Sequence, residues 1–299
     1  MTVASTPWER GRLDARRGRP KLLFGQMYED ADVELYVFPS SGRVFTIASA
    51  GSTSMVLSGR GHDVTAVDIN PAQVEYVRGR LAGAPVRPGT AERLFSFGRR
   101  LMPLLGWSRS KLRSFLELDD PTRQIDFWHR HLDTPRFHLG LKLLINPVTL
   151  RSVYDRTFLK VVPPRFDQVM RRRLEQCFSN HPNRTNPYAW RLFLGMDLPD
   201  QRPIAANPER VEVIHADAAA YLEQCQPESF AGFTLSNILD GTEPAYRDRL
   251  MAAVRRSARR GALTVLRSFA EPSPGESIEW VQRDRSILWG RVSVDRVEV

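Results

Sequence analysis

Cysteine is nearly missing from this chain: Cys177 and Cys225 are the only two in 299 residues, and they lie far apart. That excludes a disulfide-stapled scaffold and a cysteine-based metal or redox motif, and it suits a reduced, cytoplasmic setting. Lysine is scarce too. Of 43 basic residues only Lys21, Lys111, Lys142 and Lys160 are lysines, so the net charge of +9 is almost wholly arginine. These arginines are dispersed along the chain, the pattern of a solvated surface more than of a polyanion groove. No apolar run reaches the roughly 18 residues that a transmembrane helix requires. The stretch Trp8-Glu-Arg-Gly-Arg-Leu-Asp-Ala-Arg-Arg17 is charged where a signal peptide would be apolar, so none is expected. No stacking-aromatic phrase of a nucleic-acid module occurs, so no nucleic-acid partner is expected. What is present is an apolar content of 42%, enough for a large core.

The most informative part is Arg43-Val-Phe-Thr-Ile-Ala-Ser-Ala-Gly-Ser-Thr-Ser54, followed by Asp63-Val-Thr-Ala-Val-Asp-Ile-Asn70. Each begins with an apolar, β-branched run, and the second run ends in Asp68, 20 positions after Ala48. In an open parallel sheet, a small-residue loop after the first strand lets backbone N–H groups approach a ligand, and an acid ending the second strand accepts from ribose hydroxyls. A dinucleotide fingerprint needs three glycines, whereas this loop has Gly51 alone among Ser49, Ala50 and Ser52. S-adenosylmethionine (AdoMet), which carries a ribose and no phosphate, fits this loop better than a pyrophosphate cofactor.

Strand and helix patterns alternate from residue 43. The spacing predicts strands over 43–49 and 63–68, helices over 53–59 and from Asn70-Pro71 to about 81, then strands over 211–215, 230–236 and 262–267. A helix is predicted over 244–259, and residues 286–297 alternate as a strand pair or one long edge strand. Five parallel strands closed by antiparallel ones is the plan of an α/β, class I AdoMet-dependent methyltransferase-like (Rossmann-like) sheet. Residues 84–209 interrupt it with helical spacing and Trp107, Trp128 and Trp190, and read as a helical insertion forming a cap over the acceptor site. The division is then an N-terminal arm and lid segment over 1–42, a first part of the sheet domain over 43–83, the insertion, and the remainder of the sheet domain over 210–299.

Two later features fall where such a fold needs them. Asp217 with Ala218 follows the third strand, suited to border adenine or, alternatively, to cap the next helix. The run Leu235-Ser-Asn-Ile-Leu-Asp-Gly241 puts Ser236, Asn237 and Asp240 at the carboxyl edge, or in a simple turn. His129, His131 and His138 crowd one segment without a matching zinc pattern, so no metal site is expected. The segment 97–113 interleaves basic and bulky apolar residues, which suits peripheral contact with an anionic membrane or a packed helix with outward arginines.

Taken together, Tyr28-Glu-Asp30, Ile47-Ala-Ser-Ala-Gly51, Val64-Thr-Ala-Val-Asp-Ile-Asn-Pro-Ala-Gln73, Arg151-Ser-Val-Tyr-Asp-Arg156 and Leu235-Ser-Asn-Ile-Leu-Asp240 resemble, in order, the AdoMet:diacylglycerol 3-amino-3-carboxypropyltransferases of betaine-lipid synthesis. The resemblance implies transfer of the amino-acid tail of AdoMet to a hydroxyl, releasing methylthioadenosine. With the loop and strand-end readings above, it places Ser49, Ala50, Gly51, Ser52, Asp68, Ile69, Asn70, Gln73, Asp217, Ala218, Ser236 and Asn237 around the cofactor. Glu29, Asp30 and Arg156 would hold the ammonium and carboxylate of the tail, or else form surface ion pairs. Tyr154, Asp155 and Asp240 are the candidates to take the hydroxyl proton. The acceptor stays open between a diacylglycerol-like lipid and a phenolic small molecule of the nocardicin type. Rival readings are an AdoMet methyltransferase, since this fold hosts many chemistries, and a non-enzymatic binder of RNA or membrane.

Overall fold

A computed structural model describes residues 20–146, 156–200 and 204–298 of the chain. Among them, α1 (Asp32–Val37) precedes β1 (Gly42–Ile47), α2 (Ser52–Gly59), β2 (His62–Asp68) and α3 (Pro71–Leu81). The helical stretch follows: α4 (Thr90–Leu101), a 3-10 turn (Met102–Leu105), α5 (Arg109–Leu116), α6 (Pro121–Phe127), a π turn (Trp128–Leu132), α7 (Pro135–Leu144), α8 (Arg156–Leu159), α9 (Phe166–Asn180) and α10 (Pro187–Leu194). The sheet then resumes with β3 (Val211–His215), α11 (Ala218–Gln224), β4 (Phe230–Thr234), α12 (Pro244–Ser257), β5 (Ala258–Ser268), α13 (Glu279–Arg283) and β6 (Arg291–Arg296).

The six strands run in the order β3-β2-β1-β4-β5-β6, parallel except for β6, which pairs antiparallel with β5. This is a Rossmann-like α/β sheet. Period-2 alternation covers both faces: Phe45 and Val67 join Leu222, Leu250 and Val254 on one side, while Val44 and Ala66 join Leu57, Val74, Val77 and Trp289 on the other. The helical stretch builds a third core around Trp107, Phe115, Trp128, Phe178 and Trp190. Its helices start on capping residues followed by proline, as at Asp120-Pro121, Thr134-Pro135 and Asn186-Pro187, where the side chain takes an orphan N–H and proline supplies helical φ.

Several element ends differ from expectation. β1 and β4 stop two residues early because Ser49 (φ 44°) and Ser236 (φ 52°) enter the left-handed region. β5 begins at Ala258, directly after α12, and bulges through Gly261 (φ 81°) before it resumes pairing at Leu263. The last segment is one short strand, not a pair or a long edge: Ile287 takes φ 76° and turns the chain, and α13 fills the space before it.

Candidate functional site

Strand order reverses between β1 and β4, so the loops leaving their carboxyl ends diverge and leave a crevice, the usual ligand position in open α/β sheets. Both loops carry backbone strain there. Ser49 and Ser236 are non-glycine residues at positive φ on neighbouring strand ends, conformations that cost about 1–3 kcal/mol each and cluster at functional sites. Gly51 (φ 80°) completes the first loop, and a Cβ there would lie 2.9 Å from Val77, so the position needs glycine.

The amides of this loop already have acceptors. Ser49 N donates to Asp68 Oδ2 at 3.0 Å, Ala50 N to Met27 Sδ at 3.3 Å and Gly51 N to Ala48 O at 2.7 Å. No amide of residues 49–51 is left over for a pyrophosphate. Asp68 also accepts from Asn70 N at 2.9 Å, and burial pushes its carboxyl up to about 6 despite both amides. Ile69 is half-buried, and its carbonyl accepts from His215 Nε2.

Residues 21–31 cross this edge as a strap. Gln73 uses its whole amide to hold it, accepting from Leu23 N and donating to Phe24 O and Ser49 O, while Asn70 caps α3 and donates to Lys21 O. Both are thus engaged in the protein's own backbone. Ser52 accepts from Arg80, which also donates to Ala50 O at 2.6 Å.

The strap carries Glu29 and Asp30 into the interior, at 5% and 2% exposure. Glu29 accepts from Ser236 Oγ and lies 3.8 Å from Arg267, and burial pushes its carboxyl up to about 7. Asp30 is clasped by Arg285 through two bonds of 2.5 and 2.6 Å. Burial alone would raise the Asp30 carboxyl, but Arg285 holds it below its ordinary value. Arg267, fully buried at the end of β5, binds Glu34 at 2.6 Å and Asp284 at 3.0 Å, and donates to Asp30 O. Burial opposes its charge, yet these acids hold its guanidinium well above its ordinary value.

Arg267, Glu34, Asp284 and Arg285 were not among the residues expected from sequence. Arg267 had a signal, a charged residue ending the apolar run 262–266; Glu34 had none, since it looks like a solvent-facing helix residue. Asn237 is half-buried and 3.5 Å from Asp240, whose oxygens also accept from Ser268 Oγ at 2.6 Å and Phe269 N at 3.0 Å. Burial raises the Asp240 carboxyl.

Asp217 caps α11, accepting from Ala220 N at 2.8 Å, and also accepts from Tyr246 Oη at 2.6 Å, with Ala218 buried beside it. Tyr154 and Asp155, and the side chain of Arg156, lie outside the described residues. Among the histidines, His129 pairs with Glu175 and His138 with Asp133, each at 2.7 Å. A separate cleft between α9 and α13, lined by Arg173, Cys177, His181, Asp284 and Trp289, has room for little more than water, and burial pushes the Cys177 thiol well up.

No protein-family model matches the chain, and no curated protein matches it significantly.

Proposed function

We propose that the chain has a class I methyltransferase-like fold, binds AdoMet at the β1–β4 crevice, and transfers its 3-amino-3-carboxypropyl group to a hydroxyl acceptor. The observation that carries this reading is the charge of the strap region. Four buried carboxylates, Glu29, Asp30, Glu34 and Asp284, face only two guanidiniums, Arg267 and Arg285. Glu29 is the least compensated of the four. A cationic group arriving beside it would stabilise its ionised form, because an opposite charge within about 4–6 Å favours the charged state. The tail of AdoMet ends in such a group, an ammonium.

The loop fits the nucleoside half. With its amides already satisfied, the 49–51 turn suits a ligand without phosphates, and Asp68 keeps acceptor capacity for a ribose diol because each carboxylate oxygen has a second lone pair. When bound, AdoMet supplies a carbon activated by its sulfonium: the acceptor oxygen bonds to it as the C–S bond breaks, and methylthioadenosine leaves. The protein's part is to orient the tail through Glu29, exclude water with the 21–31 strap, and receive the hydroxyl proton, for which Asp240, Tyr154 and Asp155 are the candidates. The ordered resemblance to aminocarboxypropyltransferases supports tail transfer over methyl transfer.

The test is to incubate the protein with AdoMet and either diacylglycerol or a phenolic acceptor, and to separate the nucleosides formed. Acceptor-dependent methylthioadenosine is expected. S-adenosylhomocysteine as the sole acceptor-dependent product would replace this reading with a methyltransferase.

A further inference from the structure

α4 buries none of its residues, yet its two sides differ sharply. The inner side holds the strap: Glu92 accepts from Gly25 N and Gln26 N, and the Phe95 ring meets Tyr28 edge-on at 5.0 Å. The outer side centres on Phe97, 55% exposed, with Leu94 and Leu101 adjoining it at i−3 and i+4, and Arg93 and Arg100 at i−4 and i+3. The following 3-10 turn lifts Leu104 to 75% exposure. Leu105 of the same turn packs so closely on Gly140 that a Cβ there would collide with it, which lays α7 alongside. α7 adds Leu139, 59% exposed, between Arg136 and Lys142. On the segments that build this face, all charge but that of Glu92 on the inner side of α4 is positive. Residues 93–116 contain Arg93, Arg99, Arg100, Arg109, Lys111 and Arg113 and no aspartate or glutamate, and α7 contains no acid either.

We propose that this face, formed by α4, the 3-10 turn and α7, docks on an anionic lipid bilayer, with Phe97, Leu104 and Leu139 entering the interface and the flanking arginines and lysine meeting lipid phosphates. Large apolar side chains protruding singly among cations are the arrangement of an interfacial surface, in which apolar insertion and attraction to anionic headgroups add. The charge argues against a second copy as the occupant. A two-fold contact brings the same patch against itself and would set these cationic rows facing one another. Docking also bears on the site, because the inner side of α4 grips the strap that carries Glu29. The acceptor is then a hydroxyl-bearing lipid, a step that rests on the transfer proposed above.

The test is co-sedimentation of the full chain with vesicles of phosphatidylcholine alone and of phosphatidylcholine with phosphatidylglycerol. Binding is expected to the anionic vesicles, weakening as salt rises. The double variant Phe97→Asp/Leu104→Asp should lose at least about tenfold in partition, and Arg93→Gln/Arg100→Gln roughly fivefold for each charge removed. Unaltered melting curves for these surface variants would tie the losses to docking. Absence of binding to anionic vesicles, or binding by both double variants as strong as that of the unaltered chain, overturns the proposal. So does a lipid-free dimer in gel filtration that Leu104→Asp dissolves, which would assign the face to a second copy. Vesicle binding with methylthioadenosine formed from the phenol but not from diacylglycerol would keep the docking and remove the lipid acceptor. Vesicle binding without AdoMet binding would remove the transfer reading alone.

Discussion

The two halves of the sheet's carboxyl edge hold their acids by different means. On the β1–β2 side, Asp68 is met by the amides of Ser49 and Asn70, neutral donors that leave it able to accept more. On the β4–β5 side, Glu34 and Asp284 are met by the guanidinium of Arg267, with no exposure at Arg267 or Glu34 and almost none at Asp284. A buried ion set of this kind is costly to form and costlier to break, so it acts as a frame. Glu29 stands between the two. It is framed by Ser236 and within reach of Arg267, yet not directly bonded to a cation. The comparison separates groups that hold the fold from groups left able to hold a ligand.

The largest test breaks the frame. Arg267→Met leaves Glu34 and Asp284 buried without their cation, and should destabilise the protein by about 3–5 kcal/mol, lowering Tm by roughly 10 °C. The loss should shrink at acid pH, as the stranded Asp284 carboxyl, which burial already raises, protonates. A loss below about 1 kcal/mol in denaturant melts would mean that the network is not a frame.

The second test concerns Glu29. Its carboxyl is raised from 4.5 to about 7, so between these values the folded state holds more protons than the unfolded chain. Stability contributed by the protonated form is therefore present below about 4.5 and is lost as pH rises to about 7. Glu29→Gln should flatten this part of the profile by up to about 3 kcal/mol. Melts at pH 4.5 and 7.5 for both proteins check it, and parallel profiles would return Glu29 to the frame.

The smallest effect is on the other half. Asp68→Ala should weaken AdoMet binding by about 1.5–3 kcal/mol, the scale of hydrogen bonds to a charged group, with less loss of stability than Arg267→Met. Calorimetric titration decides it: unchanged affinity in a folded variant would end the assignment of Asp68 to ribose.

Much of the sheet was legible because its signals are local. The apolar run Val211 to His215 coincides with β3 to the residue, and Asn70-Pro71 marks the start of α3, since period-2 apolar runs and cap-proline pairs act over a few positions. Strand ends were less so. Whether Ser49 and Ser236 continue a strand or turn left-handed depends on what lies across the crevice, and Ser236 is held there by Glu29, 207 positions away in sequence.

By itself the sequence determined the alternation of strands and helices, the glycine-poor loop ending in Gly51, the acid after β2, and the arginine-rich character of the chain. The tertiary structure alone decided which charges meet. Arg267 lies 233 residues from Glu34, and Arg285 lies 255 from Asp30, so no local pattern pairs them. It also decided that Asn70 and Gln73 hold the strap, and that Phe97, Leu104 and Leu139 stay outside the core that buries Trp107 and Phe137. Periodicity records which side of a helix is apolar, whereas burial depends on the element that comes to lie against that side.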